Sequence, residues 1–460
     1  MKKTGVFCRF LALALSACLF AGGLAGCSGA SSPEELFALP QPPENYQNLS
    51  QKITEVLSAT GGESIAPKTG SNTQTVQLQD LDGDGVQESA VAFFQVSGDE
   101  KPLKIYIFRL QEDDSYALST VIEGLGTGIN SVAYENVGGG PEKELIVAWQ
   151  ISTTDHTLGV YSLSGAEGIE LLWVERYNRF RIADLDEDGE REIVALTLKA
   201  GEEEIDRADF YDYDGVSLTR KESVPLSMGI TEIRMVRGGA LRGGTPAVFV
   251  TSSFGESPQG QVVDVLACRE GTFTNVTLDP ETVFSTGTVR SYTAVSGADI
   301  NGDGILELPR PKALPVYNRT AVSEEFWILD WLQFDLEGET SRALTTYHNV
   351  TDGWYFSLPD GWGQRLTLSR KDSNTADERA VTFSLWKGED QEPVRFMTIY
   401  KLTGANRARR ATMGNRQSLY TDTNAVYAYE LWPDEWDTGL THEEIVERFN
   451  IIRPEWSTDY

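Results

Sequence analysis

Histidine and cysteine are both scarce in this 460-residue chain. Only three histidines occur, His156, His348 and His442. No GxSxG elbow and no phosphate-cradling P-loop is present, so neither of those catalytic frames applies. The run His442-Glu-Glu-Ile-Val446 is half of a zinc-protease HExxH, but Val446 stands where the second ligand belongs. Thr441 and Glu444 read instead as a capping box that starts a helix, with Ile445, Val446 and Phe449 on one face and Pro454 as its stop. The four cysteines are Cys8, Cys18, Cys27 and Cys268, and the first three crowd into the amino terminus. Cys268 ends the strand-like run Val262-Val-Asp-Val-Leu-Ala-Cys268 and reads as a small core residue. Basic side chains are also in deficit, 39 against 69 acids, for a net charge of −30. That balance argues against nucleic acid as a partner and against adsorption to anionic surfaces.

The one long apolar run, Phe10 to about Leu24, follows Lys2, Lys3 and Arg9 and is too short for a comfortable membrane span. Residues 1–26 therefore read as a signal peptide. Its end, Leu24-Ala25-Gly26-Cys27, resembles a bacterial lipobox. That resemblance implies lipidation of Cys27 as the first mature residue and anchoring to the outer face of the cytoplasmic membrane; two or more acyl chains anchor stably. Loss of residues 1–26 removes Lys2, Lys3 and Arg9, leaving 36 basic against 69 acidic residues, a net charge of −33.

Residues 27–43 are rich in Ser, Pro and Glu and read as a tether. In the segment 44–72, Tyr46, Leu49, Ile53, Val56 and Leu57 recur at helical spacing until Gly61-Gly62. From residue 73 to about 347 the pattern changes to short alternating strands, and 350–460 reads as a small, separate α+β domain.

Three acidic loops punctuate the strand region. Asp80, Asp82, Asp84 and Glu88 form the first, Asp184, Asp186, Asp188 and Glu192 the second, and Asp299, Asn301, Asp303 and Glu307 the third. Oxygen donors at loop positions 1, 3, 5 and 9, with Gly at position 6, suit a hard cation such as Ca²⁺, which takes about six to eight oxygens. An EF-hand would need an acid at position 12, where Val91, Ala195 and Arg310 stand, and flanking helices where these flanks read as strands. The loops begin at 80, 184 and 299, gaps of 104 and 115, each about twice a period of roughly 50 to 60. Degenerate copies lie midway, at Asn136–Glu144 and, more weakly, at Arg237–Thr245. Five or more units of four strands, with the loop between the first and second, make a mainly β chain with a five-bladed propeller as its expected architecture. A short helix precedes it and the α+β domain follows.

An Asp-x-Asp-x-Asp-Gly-x-x-Glu loop between strands at this spacing resembles the FG-GAP or VCBS-type repeats of integrin-like propellers and bacterial surface proteins. The resemblance covers about residues 73–347 and implies about three structural Ca²⁺ ions, with main-chain carbonyls from Val86, Glu190 and Ile305 completing the ligand sets. The whole chain also resembles lipoproteins of anaerobic Gram-positive bacteria, which implies a location and no activity.

The chemistry beyond the loops is sparse. Paired carboxylates could support glycan hydrolysis at a propeller mouth, but 69 acids supply chance pairs in plenty. Trp327 and Trp331 fall on one face of a strand, with Phe326 and Phe334 on the other, and a helical reading would group Trp327, Trp331 and Phe334 instead. Trp354, Tyr355, Trp362, Trp386, Trp432 and Trp436 concentrate at the end and serve either as core or as stacking surfaces. Arg407, Arg409, Arg410 and Arg416 make a local basic stretch, read as a solvated loop. The expected role is a non-catalytic, calcium-stabilised, lipid-anchored module for an envelope protein or polysaccharide, with an extracytoplasmic glycan hydrolase as the alternative.

Overall fold

The computed structural model describes residues 44–452 except 154, 164–169, 200, 202–203, 256–259, 292–293, 318–323, 374–376, 433–435 and 437. The expected signal peptide, Cys27, the tether and Pro454 lie outside the described residues. The chain is mainly β, with 51% strand against 9% helix. Among the described residues no helix is long and apolar enough to cross a membrane.

Helix α1 (Glu44–Thr60) comes first. Gly61, at φ 63°, ends it by donating its N–H to the Leu57 carbonyl at 3.0 Å, a left-handed cap that a Cβ would strain. The first sheet then forms from β1 (Glu63–Ser64), β2 (Val76–Gln79), β3 (Ser89–Gln95), β4 (Leu103–Leu110) and β5 (Tyr116–Gly124). The second is β6 (Gly128–Glu135), β7 (Glu144–Gln150), β8 (His156–Ser162) and β9 (Glu170–Tyr177). The third is β10 (Arg179–Ala183), β11 (Glu192–Thr197), β12 (Arg207–Tyr213) and β13 (Leu218–Pro225). The fourth is β14 (Ile230–Ala240), β15 (Pro246–Phe254), β16 (Gly260–Arg269) and β17 (Thr272–Asn275). All four are antiparallel; the second to fourth are meanders in chain order, while in the first β3 holds both β1 and β2 on one edge and β4 on the other.

The fifth sheet orders β18 (Leu308–Ala313), β19 (Trp327–Phe334), β20 (Thr340–Asn349), β21 (Trp354–Leu358) and β27 (Phe449–Ile451). Among the described residues, the position that a first strand takes in the earlier sheets holds here only the isolated bridge Ala298–Glu307. Pro309 and Pro311 account for this, because they lie on β18, whose only strand partner is β19, and have no N–H to offer the open edge. A last sheet comprises β22 (Leu366–Ser373), β23 (Glu378–Leu385), β24 (Val394–Leu402), β25 (Gln417–Thr421) and β26 (Val426–Leu431), in the order β22-β23-β24-β26-β25. Helices α2 (Arg407–Arg410) and α3 (His442–Arg448) complete the elements.

Apolar layers join these sheets face to face in chain order. Period-two alternation sends Ala90, Ala92 and Phe94 of β3 against Leu49 and Ile53 of α1, and Val91 and Phe93 against the second sheet. Further layers join the second sheet to the third, the third to the fourth and the fourth to the fifth. The outer face of the fifth sheet, with Ile328 and Tyr347, packs on Phe383, Phe396 and Tyr427 of the last sheet. The described residues after 350 therefore share a sheet and a core with the preceding unit, and β20–β21 pairing crosses the boundary expected near 350.

Three local readings need correction. Phe326 and Phe334 do not share a core: Phe326 packs toward the last sheet and Phe334 toward the fourth, while the β19–β20 register shifts at Ala343 of β20. The helix at 442 ends at Arg448, where Phe449 turns extended to begin β27. The weak loop at Arg237–Thr245 is a strand end and a tight turn, with the Leu241 N–H bonded to the Thr245 carbonyl at 2.8 Å.

Candidate metal centres

Each acidic loop connects an inner strand position to the next strand of its sheet, so all three occupy the same place in the first, third and fifth sheets. The turn is tight because positions 4 and 6 are left-handed. Gly83, Glu187 and Gly302 have φ of 79°, 64° and 78°, and Gly85, Gly189 and Gly304 have 91°, 95° and 87°. Glu187 is the one side chain held in this strained region at position 4.

Side chains fold back on the loop's own N–H groups. Asp80 accepts from Gly83 at 2.8 Å and Gly85 at 3.0 Å, and Asp84 from Val86 at 2.7 Å. Asp299 likewise accepts from Gly302 at 2.7 Å and Gly304 at 2.9 Å, and Asp303 from Ile305 at 2.9 Å. In the second loop Asp186 accepts from Asp188 at 3.3 Å and Asp188 from Glu190 at 2.8 Å. These bonds aim one oxygen from each acid at a common point. Asp80, Asp82, Asp84 and Glu88 bring ligand atoms within 4.8 Å of one another, as do Asp184, Asp186, Asp188 and Glu192, and Asp299, Asp303 and Glu307. Asn301 joins the third group through a bond to Asp303 at 2.8 Å. Val86, Glu190 and Ile305 are fixed in place by the N–H bonds just described.

The position-9 glutamate clasps each loop. Glu88, Glu192 and Glu307 accept from the N–H of Leu81, Leu185 and Ile300 at 3.4, 2.7 and 3.0 Å. One oxygen of each of Glu88, Glu192 and Asp184 is buried without a protein partner. Burial first, then the charges of Asp186, Asp184 and Asp188, push the Glu192 carboxyl up to about 8. Burial also raises Glu307, with Gln333 and the Ile300 N–H opposing it. Crowded carboxylates with unpartnered oxygens are a donor set for a hard cation, and such an ion would relieve their repulsion.

One partner of these loops carries no local sequence signal, and one degenerate copy keeps part of the arrangement. Gln333, on β19, donates its amide to both Asp303 and Glu307 at 2.8 Å. Glu144, in the degenerate copy of the second sheet, accepts from Val137 at 3.0 Å and so keeps the clasp where the position-3 and position-5 acids are missing.

The other candidates have structural places. Cys268 is buried, and burial pushes its thiol up to about 12. Thr441 and Glu444 form the expected capping box. Arg416 makes a bidentate pair with Glu378 at 2.9 and 3.0 Å and stacks over Tyr400. Trp354 and Trp362 are core, and Trp432 lies under the Arg395 guanidinium at 3.7 Å.

No family model matches the chain, and no curated protein matches it. Among solved structures, the Pseudomonas aeruginosa PilY1 C-terminal domain is similar over 75% of this chain and 87% of its own, at 12% identity and a TM-score of 0.25. A hypothetical protein from Leishmania major is similar over 66% of this chain and 96% of its own, at 10% identity and a TM-score of 0.21. Overlays this loose assign the chain to no family, and its description rests on its own residues.

Proposed function

We propose that this chain is a lipid-anchored, calcium-stabilised binding module for a protein or polysaccharide at the outer face of the bacterial cytoplasmic membrane, built on FG-GAP/VCBS-type repeats. The observation that carries it is the placement of three converging acid groups at one equivalent position in alternate sheets. Such regularity suits ions that stiffen a scaffold better than a single reaction centre. Calcium fits because it accepts flexible all-oxygen sets, including carbonyls of Val86, Glu190 and Ile305, whereas Mg²⁺ demands near-octahedral geometry and retains water.

The five repeat sheets are read as propeller blades. Face-to-face stacking in chain order supports this, as do contacts between successive first strands. Tyr134 of β6 donates to Gln77 of β2 at 2.7 Å, β10 lies against β14, and Arg237 of β14 donates to the Gly297 carbonyl at 2.5 Å. On this reading α1 and the last sheet fill the seam where the first and fifth blades would otherwise meet.

Calorimetric titration tests the metal assignment. About three Ca²⁺ should bind per chain, and Asp82→Ala, Asp186→Ala and Asp303→Ala should each remove one. Binding only to the folded state raises stability by mass action, so chelation should lower Tm. A pull-down from envelope extract with and without Ca²⁺ tests the binding role. Absence of any calcium heat, or a Tm indifferent to chelator, rejects the assignment.

A further inference from the structure

A cavity of about 960 Å³ opens between the fifth sheet, the inner end of the fourth and the chain's last described residues. His348, on β20, lines it and is 9% exposed, yet neither ring nitrogen has a protein partner. Its ring stacks on Tyr355 with centroids 4.8 Å apart and 10° between planes, and tilts against Trp331 at 5.7 Å. Trp331 donates its N–H to Thr346 and is fully buried, so it backs the His348 ring rather than meeting a ligand. Tyr420, 44% exposed, adds a second accessible ring, and Phe449 and Ile451 supply apolar wall. Arg237 and Asp299 also line the cavity with opposite charges.

We propose that this cavity binds a neutral carbohydrate, as a short oligosaccharide or the end of a polymer chain, stacked on Tyr355 and Tyr420 and hydrogen-bonded to His348. An uncharged imidazole offers a donor at one nitrogen and an acceptor at the other, and a sugar hydroxyl can fill either role. A purely apolar ligand would leave both His348 nitrogens buried and unpaired, a cost of about 1–3 kcal/mol per group. Arg237 would repel a cation, and Asp299 is committed to the third acidic loop. The volume lies toward the upper end of small-molecule sites, roughly 300–1,000 Å³, and leaves room for more than one ring.

The inference deepens the binding-module reading and rests on it for the envelope as the source of the glycan. The test titrates the full chain in calcium buffer with maltotriose, cellotriose and chitotriose, using indole and citrate as apolar and anionic controls. At least one trisaccharide should saturate a single site. His348→Phe, which keeps a stacking ring and removes both nitrogens, should weaken it at least tenfold. Tyr420→Ala, at an exposed position with little influence on folding, should weaken it as well. Binding of indole or citrate alone, no binding of any trisaccharide, or trisaccharide binding unchanged in Tyr420→Ala overturns the proposal. If a protein partner is still captured from envelope extract in that event, the binding-module reading survives while this site does not.

Discussion

Gln333 holds together two carboxylates that would otherwise repel, and it does so without an ion. Its amide N–H groups meet Asp303 and Glu307, so the third loop carries its own partial compensation when metal is removed. Gln333→Leu should therefore destabilise the chelated protein by about 1–3 kcal/mol and the calcium-bound protein by less. The drop in Tm on adding chelator should be larger than in the parent. An equal loss in both states would reduce Gln333 to an ordinary core residue. His348 supports a pH experiment of its own. Burial pushes its imidazole from 6.5 down to about 4, so as pH falls the unfolded chain takes up the proton first. The stability tied to this group is complete above about 6.5 and is lost progressively toward about 4. The shift corresponds to about 3 kcal/mol. Denaturant curves at pH 7 and pH 4.5 should differ less for His348→Phe than for the parent; identical differences would show that His348 does not titrate in this window.

At the scale of elements, alternation made the strands legible. The first unit shows this: Val76–Gln79, Ser89–Gln95, Leu103–Leu110 and Tyr116–Gly124 are four short strands, with the acidic loop between the first and second. Buried two-sided strands bounded by Gly and Asp turns leave this trace plainly. The bulge at Ala343 on β20 left none, since one extra residue in a strand has no composition of its own. The loops were legible because ligand spacing is local, whereas Gln333 and the His348 cavity come from pairings between distant segments. The end segment was misread as separate because nothing in the run after 350 reveals that Trp354–Leu358 would pair with Thr345–Asn349. Helix α1 shows the reverse: its apolar stripe announced a docking face, and Leu49 is 5% exposed against the first sheet. The Asn48 side chain also accepts from the Tyr116 N–H at 2.7 Å. Leu49→Ala should cost about 2–5 kcal/mol through the cavity it leaves. Hydrogen exchange should show protection falling first at Ser89–Gln95 and Tyr116–Gly124; uniform loss across all sheets would contradict a local seat for α1.

For the whole molecule, the anchor and the array can be tested apart. Cys27→Ser should leave the precursor uncleaved or release the protein from the membrane fraction, with the calcium stoichiometry unchanged. Normal processing with retained membrane association would reject lipidation. The array itself has a feature that repetition alone does not supply. Its first and fifth sheets each carry an apolar outer face, and each face is covered by something outside the repeat, α1 on one side and the last sheet on the other. A stack of like units has no intrinsic reason to stop, because every exposed face is a template for the next. Here α1 and the last sheet cover those two faces, so neither is left open to a copy of the chain. Removing α1 would uncover Ala90, Ala92, Phe94 and Phe108 together and leave one self-complementary apolar face, so the expected product is a closed dimer rather than a filament.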